Sequence, residues 1–75
     1  MSKIAEDLAD KLAIDAIAAA ERLGDDRLIE QIAQAVGASS PTTEEFFRTA
    51  VRVRIAEARG RKLLEDRLAK ATSGL

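Results

Sequence analysis

Residues 42–71 read TTEEFFRTAVRVRIAEARGRKLLEDRLAKA, and the reading of this stretch decides the fold. It contains no Pro, and its one weak point as a helix is Gly60, which costs roughly 1 kcal/mol relative to Ala in a helix interior. Thr42 to Glu45 fits a capping box, with Thr42 as N-cap and Glu45 reaching back. Ser40 with Pro41 at the first helical position is the competing cap. Either start predicts a single helix over about 42–71, roughly 45 Å long at 1.5 Å per residue. A compact chain of 75 residues is only about 30 Å across. Part of the helix must therefore overhang, fold back at Gly60, or pair with a second chain.

Its apolar side also changes direction along its length. The first half presents Phe46, Phe47, Ala50 and Val51, and the second presents Val53, Ala56, Gly60, Leu63, Leu64 and Ala71. Two different partners are implied, and Phe46-Phe47 reads as the bulky centre of an otherwise Ala-rich core. Arg54, Glu57, Arg61 and Glu65 follow at spacings of three, four and four, a ladder of alternating sign on one stripe. That stripe is either a solvated face or a set of charges that fixes register between helices.

Working outward, a first helix is expected over about 3–23. Ile4, Leu8, Leu12, Ala16 and Leu23 recur at helical spacing with Ala5, Ala9, Ala13, Ala19 and Ala20 beside them, and Lys3, Glu6, Asp7, Asp10 and Lys11 lie opposite. Ile14 and Ala18 project from the polar side, either as ordinary exposed residues or as a second contact surface. Gly24 suits a left-handed C-cap, and Asp25 or Asp26 can accept from the first amides of a second helix over about 26–36. Leu28, Ile29, Ile32, Ala33 and Val36 line one side of that helix, and Gly37 is expected to stop it. The expected fold is all-α, one domain over 1–75, a three-helix protein with a long C-terminal helix that forms a dimeric helical bundle.

Charge is divided along the chain. Residues 1–36 carry eight acidic and four basic side chains, and residues 46–70 carry three acidic and eight basic, a polarity hidden in a net charge of −1. Each half is a docking surface for the other, for a second copy, or for another partner. A chain this short has a thin core, and with no Cys and no His it has neither disulfides nor a His- or Cys-based zinc site to support it, which favours oligomerisation. No apolar run is long enough to span a bilayer and the first residues lack the apolar region of a signal peptide, so the chain reads as cytoplasmic.

His, Cys, Trp, Tyr and Asn are all missing, which removes the commonest general base, the thiolate nucleophile and the best metal ligands. Ser39, Ser40, Thr42 and Thr43 read as helix-capping residues, the acidic residues of the first helix as a solvated face, and the isolated glycines form no phosphate loop. No enzyme activity, cofactor or metal is expected. The expected role is a small interaction or regulatory protein, a homodimer that also meets a protein partner, with Arg54, Glu57, Gly60, Arg61, Leu64, Glu65 and Leu68 as its interaction residues.

The run from Ile32 to Ser40, followed by Thr43 and Phe46, resembles a helix-turn-helix, with Ala33 in the first helix, Gly37 four residues later and apolar residues bracketing the second. With Leu12, Ile17, Ala20 and Leu23 before it, the segment 12–50 is similar to the N-terminal domain of tetracycline-repressor-like regulators. The resemblance implies DNA binding, with Ser39, Ser40, Arg48 and Arg52 as nucleic-acid contacts. Two departures work against it. Glu44 and Glu45 would place carboxylates at the start of a recognition helix, where they repel phosphate, and Pro41 stretches the turn.

Overall fold

Gly24 is the one described residue with positive φ, at +63°, and it ends the first helix, α1 (Ser2–Leu23). The Asp25 amide donates to Ala20 O at 3.0 Å and the Gly24 amide to Glu21 O at 3.3 Å, which is the Schellman pattern that satisfies the last carbonyls of a helix. Asp25 then accepts from the Arg27 amide through Oδ1 at 2.9 Å, closing the turn into α2 (Leu28–Ser39). The computed structural model describes residues 2–73, and the side chains of 3–72.

α2 begins later and ends later than the 26–36 expected from sequence, because Gly37 does not stop it. The helix continues through Gly37 to Ser39 and ends at Ser40, whose backbone is extended at φ −152°, ψ 99°. Gly37 serves a different purpose: a Cβ built on it would collide with the carboxylate of Glu44 from the following helix. A side chain there would have to displace the Glu44 carboxylate.

α3 (Pro41–Ser73) follows after Ser40 alone. Its N-cap is Ser40, not Thr42: Ser40 Oγ accepts from the Thr43 amide at 3.1 Å and lies 2.8 Å from Thr43 Oγ1, with Pro41 in the first turn where no amide is needed. The helix is continuous through Gly60. Its 33 residues account for a molecule whose extents are 55 × 30 × 13 Å, an elongated slab of three helices.

α1 and α3 pack directly on each other and run the same way, since Glu6 lies beside Phe46, Asp10 beside Arg54 and Glu21 beside Arg59, and α2 runs back antiparallel to α3. The core is Ala9, Ala13, Ala16, Ala33, Phe47 and Val51, with Phe47 fully enclosed. Leu12, Ile17, Ile29, Ile32, Phe46, Ala50 and Ile55 pack around it. Alanines let the helices approach until a single phenylalanine fills the space between them. The buried side of α1 is thus its alanine stripe. Ile4, Leu8 and Leu23, which share the expected apolar face, are 69%, 58% and 68% exposed.

Candidate interaction surface

The two halves of opposite charge meet within the chain. Arg54 on α3 grips Asp10 on α1 bidentately, Nε to Oδ1 at 2.6 Å and Nη2 to Oδ2 at 2.7 Å. Arg48 is a hub: its two terminal nitrogens reach Glu30 on α2 at 2.8 and 3.0 Å, while Nε donates to Glu44 at 2.9 Å. Gln34 adds a bond from Nε2 to Glu30 at 3.2 Å. Since Glu44 also covers Gly37, one connected set of side chains fixes the corner between α2 and α3. Fork-to-fork pairing of this kind gives direction as well as attraction.

These contacts shift the carboxylates. Hydrogen bonding by the Arg54 guanidinium holds Asp10 below its ordinary pKa, and the Arg48 guanidinium does the same for Glu30. The arginines move the other way, with Arg48 raised chiefly by Glu30 and then by Glu44.

The expected ladder is therefore divided. Arg61 and Glu57 are paired along α3 at 2.7 Å, but Arg54 leaves the stripe for Asp10. Arg48, read from sequence as a phosphate contact, lies between two carboxylates, and the hydroxyl of Ser40 is taken up by the helix cap. Ser39 and Arg52 are exposed, the latter donating to Thr49 Oγ1 at 3.4 Å. Sequence reasoning did not find Asp10, Glu30 and Glu44 as clamp partners. The spacing of four between Glu44 and Arg48 was the available signal.

Beyond Ile55 every residue of α3 from 56 to 72 is exposed. Val53, Leu63, Leu64 and Leu68 are each more than half exposed. This apolar surface continues toward Phe46 and Ala50 in a shallow groove beside Glu6 and Asp10. On the other flank Ile14 and Ile17 of α1 face Ile55, Ala58 and Arg59 across a second open groove of about 450 Å³. Ile14 belongs to that groove and is not isolated on a polar face.

Gly60 and Leu64 lie within the exposed stretch with Glu57, Arg61, Glu65 and Leu68, whereas Arg54 belongs to the clamp on α1. Among the described residues no helix is long and apolar enough to cross a membrane. Compared with known proteins, the chain matches no family model, no curated protein and no solved structure.

Proposed function

We propose that this chain is a non-enzymatic helical interaction protein that acts by binding protein surfaces, first of all a second copy of itself, as a small regulator or adaptor. One observation carries the reading: the second half of α3 holds Leu63, Leu64 and Leu68 at 56%, 53% and 59% exposure on a helix that extends past the core. Exposed leucines clustered along one helix are the usual mark of a contact surface. A cytoplasmic setting goes with this role.

The charge arrangement supports a protein partner over DNA. Arg48 and Arg54 are matched by carboxylates within the chain, and Lys62 faces Asp66 at 3.4 Å, so much of the basic half is neutralised locally. Phosphate binding needs cations that can displace counterions, which these are not placed to do.

Mass by light scattering after gel filtration, at low and high salt, tests the reading. A dimer at both salts is expected, since the exposed surface is mainly apolar. A monomer at every concentration, together with a salt-sensitive shift of a mixed-sequence DNA duplex, would replace it with the DNA-binding alternative.

A further inference from the structure

The exposed part of α3 contains a seam of its own. Val53, Glu57, Gly60, Leu64, Arg67 and Ala71 recur at alternating spacings of four and three, the pattern that keeps one stripe of a helix against another. All six are exposed, and the seam lies round the helix from Phe47, Val51 and Ile55, which face the core. It runs about 27 Å along the axis at 1.5 Å per residue.

We infer that this seam pairs antiparallel with the same seam of a second copy, about a two-fold axis near Lys62. The inference rests on the self-association proposed above and specifies its geometry. In an antiparallel pair, Val53 faces Ala71 of the other copy, Glu57 faces Arg67, and Gly60 faces Leu64, each contact occurring twice by symmetry. Every large side chain meets a small one and every carboxylate meets a guanidinium.

A parallel pair loses both kinds of match. Glu57 would face Glu57 and Arg67 would face Arg67, while Gly60 against Gly60 would leave a gap beside a crowded Leu64 pair. Charge and volume select the same orientation, which is how helix pairs exclude the wrong partner arrangement. On one shoulder of the antiparallel seam Leu63 meets its own copy and adds apolar contact. On the other, Arg61 approaches its symmetry mate and shares Glu57, which lies 2.7 Å from it along the helix, with Arg67 of the second copy.

The chain has no Cys, so single-cysteine variants of the full chain report geometry cleanly. Under mild oxidation, a mixture of Val53→Cys and Ala71→Cys chains is expected to give a disulfide-linked heterodimer, while Val53→Cys alone gives almost none, its two sulfurs lying about 27 Å apart. Glu57→Arg or Arg67→Glu alone is expected to raise the dimer dissociation constant about tenfold, because two symmetry-related pairs become repulsive at once. The double exchange should restore it. Circular dichroism of each variant checks that the helices are intact. Efficient self-linking of Val53→Cys, or a dimer in which neither cysteine arrangement links, would overturn the antiparallel seam while leaving self-association standing. A wild-type chain that stays monomeric by light scattering would overturn both.

Discussion

Replacing Phe47 by Ala should remove a large part of the stability of this protein. Among the described residues Phe47 is the only large side chain in the core with essentially no exposure, and its buried companions are four alanines and Val51. Truncating a buried Phe to Ala costs about 3–5 kcal/mol, combining lost transfer free energy with the cavity left behind. The alanines cannot extend into that space, so collapse of the site recovers little. A chain of 75 residues has a total stability of about 4–11 kcal/mol at the usual per-residue value. The substitution therefore removes from about a quarter of the stability to all of it.

Urea unfolding followed by circular dichroism at 222 nm reads the effect, since there is no Trp or Tyr to report by fluorescence. With a slope of about 1 kcal/mol per molar for so small a domain, the midpoint should fall by about 3 M or more. Phe46→Ala is the internal comparison: Phe46 is only partly buried and should lose about 1–2 kcal/mol. Leu23→Ala, at a residue 68% exposed, should stay within about 0.5 kcal/mol. All variants must be compared at one protein concentration, because the proposed self-association would add to apparent stability. A Phe47→Ala loss below about 1.5 kcal/mol, or one no larger than that of Phe46→Ala, would refute the argument that one aromatic ring supports this core.

Stability should be flat from pH 7 to about 5 and decline below about 4.3, because Asp10 and Glu30 have folded pKa values below their unfolded ones and lose their partners as they protonate. Arg54→Ala and Arg48→Ala should each flatten that acid limb in thermal melts, and an unchanged limb would show that the clamps are not what titrates. Gly24→Ala should lower stability by about 1 kcal/mol in urea titrations, since the +63° φ leaves strain even though the space is open. Gly37→Ala should bring none of the roughly 1 kcal/mol that Ala gains over Gly in a helix interior, because the new methyl must push Glu44 off Arg48; a higher melting temperature would contradict that. Amides of α3 after Ile55 should exchange with solvent faster than those between Glu44 and Val51 in dilute protein, and slow as concentration rises; uniform protection on dilution would mean that the second half is covered within the chain.

The helices were legible in the sequence because their signals are local. Periodicity placed α1, Gly24 marked its end, and the absence of Pro after residue 41 required a long α3 whose length exceeds any compact packing. What was not legible depends on distance in space. Gly37 satisfies equally well the pattern of a helix stop and of a close approach, and only the position of Glu44 decides between them. Hydrophobicity favoured Ile4 and Leu8 over Ala9 and Ala13, yet the helices pack where side chains are small, so the alanines are buried and the larger residues exposed. The division of charge was visible, but which carboxylate each arginine would take was not. Arg54 has Glu57 three residues away and nevertheless pairs with Asp10, 44 residues distant in sequence, because α1 brings that carboxylate into bidentate geometry.

The structure divides α3 into two regimes. Its first half is fixed by tertiary contacts around Phe47 and Val51, and its second half carries interactions along the helix, such as Arg61 with Glu57, Lys62 with Asp66, and the Thr72 hydroxyl donating to Leu68 O. The second half needs no new nucleus, because it propagates from the packed part, but Gly60 interrupts that propagation and exposed ion pairs add little. Such a segment is most helical when its apolar stripe is covered. On the proposed reading, binding and helix order form one coupled equilibrium, in which a partner that covers Leu64 also stabilises the helix beyond Gly60. Changes along the seam should therefore move affinity and helicity together while leaving the core around Phe47 unaffected, and that separation makes the far end of α3 suited to contact with a partner.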